Sequence, residues 1–509
     1  MEYLVGIDLG STSLKAIIYD RDGRAVAGGS RPTERFYPNP DQPEWTVWEP
    51  AQIWEGAAAA ARDAVAQLDN PRDIKGVAVT GMGMDGLPVD EQGTWLYPLI
   101  SWHDPRTAPQ FEWWKENITV EKVFSIGGNP LWPINSALRI LWMAENEPEI
   151  LARADKWLLI EDFLNLMLCG RKATDYSMAS CTALFDQRKL AWSDELLELS
   201  GIDRRLMPEA LPSGTILGEV HGEAAAASGL PEGTPVVLGG HDHLCGALPV
   251  GVFRPGTVLN VTGTWETVLT ATSEPVLKDE LRQMGVTVQA HVARGVHTAW
   301  GSNAAAEMLE WYRSQFGHDA KQKADSEGGS DWKYLMASAA KSPAGARGVM
   351  FLPHMSAVAC PVVDQQSAGA FVGLRNTATA GDILRAIIEG LCFQFLDVVT
   401  AMESGLGSKL DKFITVGGAI RNEFWMQCKA DVVGRPIEVP DVEEATPLGA
   451  AILAGIGTGV YRDEEDALSR VYRKGKVYHP NPEASAKYAE LFKIYKQLYP
   501  TLAPISHQL

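Results

Sequence analysis

The stretch YLVGIDLGSTSLKAIIYDRDG, residues Tyr3 to Gly23, decides the fold. It predicts a strand, a glycine-rich turn, a second strand and a further turn at Asp22-Gly23. Its apolar residues are too dense for a sheet with one face in solvent, and they favour strands covered by helices on both faces. The segment therefore predicts the start of an α/β sheet.

The chain downstream continues this pattern. Pro50 to Leu68 is rich in alanine and predicts a long helix, and Gly76 to Thr80 predicts a buried strand. Strands and helices then alternate as far as Val237, as in α/β proteins. The sequence PVVLGGHDHLCGALPVG, Pro235 to Gly251, predicts a buried strand that runs into a glycine pair and marks the end of the first half.

A second strand–turn–strand unit begins just after this point. GTVLNVTGTWETVLTAT, Gly256 to Thr272, has the same order of elements as the first hairpin and a similar polar tip. The two hairpins lie roughly half a chain apart, so they predict two related domains, at residues 1–245 and 246–509.

The C-terminal half also predicts a strong amphipathic helix from about Ala380 to Ser404. Asp382 is suited to cap its start and Gly405 to end it. A buried strand is expected to follow within Leu410 to Ile420. The polar residues around Ser326 to Ser330 predict a flexible spacer.

The composition narrows the classes of protein and partner. The chain has 509 residues, of which 46% are hydrophobic and 21% charged, a balance that excludes a disordered or collagen-like protein. It carries 45 Lys and Arg against 64 Asp and Glu, a net charge of −19. Such a surface repels phosphodiester backbones and anionic lipid, so we expect no nucleic acid and no membrane partner.

The six cysteines are scattered, with no CxxC pair. This favours reduced thiols over a disulfide framework or a structural zinc site. No apolar run approaches the ~20 residues that span a bilayer, and no signal peptide is visible. The sequence therefore predicts a cytoplasmic protein.

The first hairpin tip, GIDLGSTS, has the chemistry of a phosphate site. Glycine lets backbone N–H groups approach a phosphate closely, and hydroxyls add donors. Asp8 would hold a hydrated Mg²⁺ against the phosphates, and Lys15 would add a positive charge. An ordinary hairpin is the alternative, and the GxxxxGK[ST] spacing of a Walker A loop is absent. The candidate phosphate ligands here are Gly10, Ser11, Thr12 and Ser13.

Two further turns in the C-terminal half have similar chemistry. Thr262-Gly263-Thr264 would hold the other side of a phosphate chain, and a plain turn is the alternative. In VGGAIRNEFW, a glycine pair follows a buried strand and leaves an open floor for a flat adenine. A tight strand-to-helix connection would also need these glycines. The candidate adenine residues are Gly417, Gly418, Ala419 and Asn422.

The triplet His241-Asp242-His243 follows the predicted strand at Pro235. An aspartate at a strand end beside a cleft suits a general base for a hydroxyl. The alternative is that Asp242 only caps the next helix. The two histidines also suggest a metal site, but no third ligand follows at metal-like spacing.

Two loops carry acids and aromatic rings. TGMGMDG includes Gly83 and Asp85, and SWHDPRT includes Trp102 and Asp104. Acids bond hydroxyls and an aromatic ring packs on C–H faces, so the set suits a polyhydroxylated ligand. A turn at Asp104 and a core position for Trp102 are the alternatives.

These segments, in this order, resemble the FGGY family of carbohydrate kinases nearly from end to end. GIDLGSTSLKA is similar to the family's first phosphate motif, VTGTW to its second and VGGAIRNEFW to its adenosine motif. Gly369 to Glu389 fits one family signature throughout. Asn135 to Asn146 fits the other, with Arg139 where the family prefers Lys. Within the family, the strings are most similar to those of L-fuculokinases, then rhamnulokinases and xylulokinases.

The resemblance implies two actin-like, ribonuclease-H-like α/β domains with ATP and sugar in the cleft between them. It implies that Asp242 is the base and that Asp8, with Asp242, holds Mg²⁺. The other roles it implies are phosphate and adenine contacts at the residues named above, and a sugar site at Gly83, Asp85, Trp102, Asp104, His241 and His243.

The sequence thus predicts an ATP-dependent kinase for a ketose or polyol, with an L-fuculose-like sugar favoured. One alternative is an actin-like ATP-binding protein without sugar kinase activity. Another is a metal-dependent hydrolase built on the HDH triplet. Family members are often dimers, so a homodimer is the expected assembly.

Overall fold

The computed structural model describes residues 2–356 and 358–509. The strands of the first half are β1 (Tyr3–Leu9), β2 (Ser13–Asp20), β3 (Ala25–Pro32), β4 (Val47–Trp48), β5 (Ile74–Gly81), β6 (Gly86–Val89), β7 (Leu99–Ile100), β8 (Lys156–Leu159), β9 (Ala173–Asp175), β10 (Phe185–Asp186), β11 (Ala191–Trp192), β12 (Glu209–Leu211), β13 (Ile216–Glu219) and β14 (Pro235–His241). Its helices are α1 (Pro50–Val65), α2 (Ala108–Asn117), α3 (Val120–Gly127), α4 (Ser136–Asn146), α5 (Pro148–Arg153), α6 (Ile160–Cys169), α7 (Tyr176–Ser180), α8 (Asp194–Ser200), α9 (Gly222–Ser228) and α10 (Asp242–Ala247).

The second half adds the strands β15 (Thr257–Thr262), β16 (Trp265–Thr272), β17 (Thr287–Ala290), β18 (His297–Ala304), β19 (Met350–Leu352), β20 (Ala370–Val372), β21 (Lys412–Val416), β22 (Ile437–Val439) and β23 (Lys476–Tyr478). Its helices are α11 (Asp279–Gln283), α12 (Ala306–Phe316), α13 (His318–Glu327), α14 (Asp331–Lys341), α15 (Ala380–Leu406), α16 (Glu423–Val433), α17 (Ala445–Gly457), α18 (Glu464–Val471) and α19 (Pro482–Ser506).

The first sheet has the strand order β13-β14-β5-β1-β2-β3. β1, β2 and β3 form an antiparallel meander, and β5 and β14 then join in parallel with β1. Asp8 and Gly240 both lie opposite Thr80 on β5, so the carboxyl ends of the three parallel strands meet at one edge. This edge is where open α/β sheets bind ligands.

The second sheet repeats the plan, in the order β17-β18-β16-β15-β21-β22-β23. β15, β16 and β18 are antiparallel, and β21 and β22 extend the sheet in parallel. The shared order of three antiparallel and two parallel strands confirms the expected α/β fold of two actin-like domains. The hairpins β1–β2 and β15–β16 occupy corresponding places in the two sheets.

Helix α17 packs against the first sheet although it comes late in the chain. A Cβ on Gly6 of β1 would lie 1.9 Å from the Pro447 carbonyl oxygen, and a Cβ on Gly449 would lie 1.9 Å from the Cys245 carbonyl oxygen. The alanines of α1 cover the opposite face. Both faces of β1 are therefore buried, as its sequence predicted. The predicted division after Cys245 falls inside α10 and stays a prediction.

The structure corrects three local expectations, at the start of α15, at its end and around Ser326. Thr379, not Asp382, is the N-cap of α15, and its side chain accepts from the Asp382 amide while the Asp382 carboxylate accepts from the Thr379 amide. The helix runs past Gly405 and ends at Gly407, whose φ is 68°. The expected spacer around Ser326 is instead the end of α13 and a short link to α14.

Two expectations from the sequence concern the state of the cysteines and the hydrophobicity of the helices. All six cysteines are free, and five of them are buried. Among the described helices, none is both long enough and apolar enough to cross a bilayer.

Candidate active site

The β1–β2 tip is a tight turn with exposed polar groups. The Gly10 amide donates to the Ser13 carbonyl oxygen at 3.1 Å, and the Thr33 hydroxyl donates to the Gly10 carbonyl oxygen at 2.9 Å. Ser11 is half-buried and Thr12 is exposed. The tip is therefore held from below while its outer hydroxyls face solvent.

Asp8, the residue before the last of β1, lies in a setting that disfavours a negative charge. Burial, and secondly repulsion from Asp242, raise the pKa of Asp8 from 3.8 to about 7, against the attraction of Lys15. Among the described residues none donates a hydrogen bond to this carboxylate. A carboxylate without a donor, beside a second carboxylate, is a setting that suits a divalent cation with its bound water.

Lys15 does not point freely at a ligand. Its Nζ lies 2.8 Å from Oε1 of Glu444, in the segment before α17. The Tyr19 hydroxyl donates to the Glu444 carbonyl oxygen at 3.2 Å. Glu444 was not found from the sequence, because it lies 429 positions from its partner.

The β15–β16 tip lies over a buried ion pair. The Ala305 amide donates to the Thr264 carbonyl oxygen at 2.8 Å, which ties the tip to α12. Below it, the fully buried Lys429 Nζ donates to Asn260 Oδ1 at 2.5 Å, Thr262 Oγ1 at 2.9 Å and Glu266 Oε1 at 2.5 Å. An ammonium has three donors, so all three are satisfied.

The predicted adenine floor touches this tip. Gly417 has φ 101°, and a Cβ there would lie 2.6 Å from the Thr262 carbonyl oxygen. A Cβ on Gly418 would meet nothing within 4 Å, so the floor is open above it. The Asn422 amide oxygen accepts from the Trp425 amide as the N-cap of α16, and its NH₂ group lies 3.0 Å from Met336 Sδ. Ala419 is half-buried beside them.

Asp242 is the first residue of α10, directly after β14. Its side chain is 25% exposed, and its Oδ1 accepts from the His243 amide at 2.6 Å. His241 Nε2 lies 3.4 Å and His243 Nδ1 lies 3.8 Å from the same oxygen. One ligand atom from each member of the triplet lies within 4.8 Å of the others, so the metal alternative has a geometric basis that the spacing did not reveal.

The His241 ring is enclosed by groups from distant segments. Gln289 Nε2 lies 3.2 Å and Cys181 Sγ lies 3.9 Å from His241 Nδ1. A Cβ on Gly83 would lie 2.7 Å from Cys181 Sγ and 3.1 Å from His241 Nε2, so only glycine fits there. Burial lowers the pKa of His241 to about 4, which keeps the ring neutral.

Asp85 lies at the base of the predicted sugar loop. Its Oδ2 accepts from Trp48 Nε1 at 2.6 Å, and Arg139 Nη2 lies 3.6 Å from its buried Oδ1. Burial raises the pKa of Asp85 to about 7. The preceding residue, Met84, has φ 81°, and its carbonyl oxygen accepts from Ser136 Oγ at 2.6 Å. Left-handed backbone at a large residue is a strain that often marks functional loops.

The second predicted sugar loop is more self-contained. Asp104 binds Arg106 through both oxygens and accepts from the Thr46 amide at 2.6 Å. Trp102 is half-buried and stacks on His103, with ring centroids 3.6 Å apart. The Asp104 carboxylate is thus already bound by Arg106 and the Thr46 amide. Its role as a sugar ligand stays a prediction.

The strand ends bring most of the predicted residues to one edge of each sheet. The sequence missed the residues that contact them, namely Gln289, Lys429, Glu266 and Glu444, together with Trp300, whose Nε1 donates to Gln289 Oε1 at 3.1 Å. A lysine inside the otherwise buried stretch WMQCKADVV was the one visible signal among these.

Comparison with known proteins identifies the chain's family. Residues 3–249 match the N-terminal domain of the FGGY family of carbohydrate kinases, and residues 258–458 match the C-terminal domain. L-fuculokinase of Escherichia coli (strain K12) is 30% identical over 482 residues, covering 95% of this chain and 98% of that protein. Xylulose kinase of Lactococcus lactis is 30% identical over 516 residues, covering 100% and 99%.

A solved structure agrees with this assignment. The crystal structure of xylulose kinase from Rhodospirillum rubrum has a TM-score of 0.88 at 28% identity, and the match covers 99% of this chain and 100% of that one. The two matched domains follow each other in the expected order. The chain therefore belongs to the FGGY family of carbohydrate kinases.

Proposed function

We propose that this carbohydrate kinase transfers the γ-phosphoryl group of ATP to a hydroxyl of a small ketose or polyol, with an L-fuculose-like sugar favoured. The observation that carries the proposal is Asp242, a partly exposed carboxylate at the end of β14. Its placement beside Asp8, near the first predicted phosphate tip, supports a role in chemistry over a purely structural one.

Asp242 is the general base of the proposed reaction. It takes the proton of the attacking sugar hydroxyl as the sugar oxygen bonds to phosphorus and the bond to the ADP oxygen breaks. A positioned base contributes ~10²–10⁴-fold to such a step. Positioning and charge neutralisation supply most of the rest in phosphoryl transfer.

The proposed phosphate contacts come from both hairpin tips. Asp8, together with Asp242, would hold Mg²⁺ through water, and the ion would neutralise phosphate charge. Lys15 would contribute positive charge once it leaves Glu444. The remaining phosphate contacts would be Gly10, Ser11, Thr12, Ser13, Gly263 and Thr264.

The proposed nucleoside and sugar sites lie on either side of these tips. Gly417, Gly418, Ala419 and Asn422 would line the adenine. The sugar would lie near His241, His243 and Gly83, with Asp85 and Trp102 beneath, and Asp104 would support the loop through Arg106. We also propose a cytoplasmic location, on the grounds of six free thiols, and a homodimer.

The decisive assay is ADP release from purified protein with Mg-ATP and a panel of sugars. The panel holds L-fuculose, L-rhamnulose, both xyluloses, both ribuloses, erythritol and glycerol. Large stimulation by one sugar supports the proposal and identifies the substrate. ADP release that no sugar changes would instead favour the actin-like ATP-binding alternative.

Asp242→Ala tests the base. We expect kcat to fall by ~10²–10⁴-fold with nucleotide binding retained. Asp325→Ala, on the exposed face of α13, is the matched control and should keep full activity. Normal turnover by Asp242→Ala would overturn the assignment of the base.

A further inference from the structure

A line of hydrogen-bonding groups connects the second sheet to Asp242. Trp300 Nε1, on β18, donates to Gln289 Oε1 at 3.1 Å. Gln289 Nε2, on β17, lies 3.2 Å from His241 Nδ1. His241 Nε2 lies 3.4 Å from Asp242 Oδ1. Neither Gln289 nor Trp300 belongs to a sequence motif.

The direction of each hydrogen bond in this line is fixed by its first member. An indole nitrogen only donates, so Trp300 requires the amide oxygen of Gln289 on its side. The NH₂ group of Gln289 then faces His241 Nδ1, which must accept. A neutral imidazole that accepts at Nδ1 carries its proton on Nε2, the atom that faces Asp242.

The other groups around the ring do not reverse this order. Cys181 Sγ donates to the Ser177 carbonyl oxygen at 3.5 Å and lies 3.9 Å from His241 Nδ1, so towards the ring it is a long and weak contact that does not compete with the Gln289 amide at 3.2 Å. The His243 ring lies edge-on, with centroids 5.1 Å apart. Asp242 is the acceptor on the Nε2 side.

We infer that Gln289 and Trp300 are positioning residues that set the tautomer of His241, so that a protonated Nε2 faces Oδ1 of Asp242 at 3.4 Å, beside the His243 amide that donates to the same oxygen. Among the described residues no hydrogen bond reaches Oδ2. That oxygen is left to accept the proton of the sugar hydroxyl. The inference rests on the proposed role of Asp242 as base.

Gln289→Glu is the kinetic test. A carboxylate at 289 accepts but does not donate, so it favours a proton on His241 Nδ1, and the ring in its neutral form then presents a bare Nε2 to Asp242. We expect kcat to fall ~10–100-fold, part of what a base supplies, with the KM for ATP unchanged. Trp300→Phe removes the donor that orients the amide and should give a smaller loss in kcat. Gln289→Met, which matches the volume without hydrogen bonding, should lie between them.

The tautomer itself is measured by ¹⁵N spectra of the imidazole nitrogens in histidine-labelled protein. The chain has 10 histidines, and His241→Gln assigns the signals of interest. The wild type should show a neutral His241 protonated at Nε2, and the Gln289→Glu variant should lose that state. A wild-type ring protonated at Nδ1 would overturn the inference, whether or not any variant folds well.

The two proposals fail separately. If Asp242→Ala turns over normally, the base assignment falls while the tautomer result stands. If Asp242→Ala is inactive but Gln289→Glu keeps the wild-type kcat, the base stands and the positioning role is overturned.

Discussion

Lys429→Met is expected to destabilise the second domain far more than an ordinary lysine substitution. Lys429 Nζ is fully buried and binds three acceptors, at 2.5, 2.9 and 2.5 Å. Methionine fills a similar volume but leaves the buried Glu266 carboxylate without its cation. Removing one partner of a buried ion pair costs ~3–5 kcal/mol.

The double variant separates the ion pair from the packing. With Lys429→Met and Glu266→Gln together, no buried charge is left unpaired, so the cost should fall well below the sum of the two single costs. We expect a coupling of at least ~2 kcal/mol, within the range for residues in direct contact.

Native-state hydrogen exchange of the β15 and β16 amides measures these costs where they arise. Lys409→Met is the matched control, because Lys409 pairs with Glu403 at 3.3 Å while its side chain is 72% exposed, and its loss should cost ~0–1 kcal/mol. Additive single variants, or a Lys429→Met cost equal to that of Lys409→Met, would refute the reasoning. The KM for ATP should rise in Lys429→Met, because the network supports the β15–β16 tip, the second of the proposed phosphate contacts.

Two further outcomes are expected. Because the pKa of Asp8 is raised from 3.8 to about 7, ionising it costs the folded state free energy that grows as pH rises through that window and is constant above it. The whole pKa shift would correspond to ~4 kcal/mol of stability. Because water reaches the carboxylate, we expect Asp8→Asn to stabilise the nucleotide-free protein by less, ~1–2 kcal/mol at about pH 8. The gain in thermal midpoint should vanish towards about pH 4, and a gain independent of pH would contradict this cause. Gly449→Ala places a Cβ 1.9 Å from the Cys245 carbonyl oxygen, so it should cost ~3 kcal/mol or more and lower kcat by displacing α10. Gly56→Ala, within α1 and 3.8 Å from its nearest neighbour, should instead stabilise by ~0.5–1 kcal/mol in the same melting assay, and equal effects at both glycines would count against the packing argument.

The parts of the fold that the sequence predicted are those set by local pattern. Both hairpins follow from dense apolar runs on either side of a glycine turn, and α1 follows from its alanines. The end of α15 was misplaced because Gly405 and Gly407 both offer a stop. A Cβ at Gly405 would lie 2.3 Å from Leu281 Cδ2, so this glycine is needed for packing, which a local pattern does not reveal.

The supporting residues of the site were not predictable, because their contacts span long stretches of chain. Lys429 and Glu266 are 163 positions apart, and Gln289 and His241 are 48 apart. The ends of the strands are recognisable in the sequence by their glycine, hydroxyl and acidic residues. The buried polar residues below the strand ends have no such signal in the sequence. Any polar residue in a buried segment looks the same until its partner in the fold is known.

The two domains share one backbone plan but differ in charge at the corresponding hairpins, β1–β2 and β15–β16. Aligned on Gly10 and Gly263 at the two tips, Asp8 of β1 corresponds to Val261 of β15. The first edge thus carries carboxylates whose repulsion a cation would relieve, whereas the second presents glycines and hydroxyls over a lysine that is already neutralised. Two acidic edges would repel the phosphates of the proposed nucleotide site. With the acids confined to the first domain, one cation would be sufficient to offset the charge that the proposed site presents to a polyanionic nucleotide.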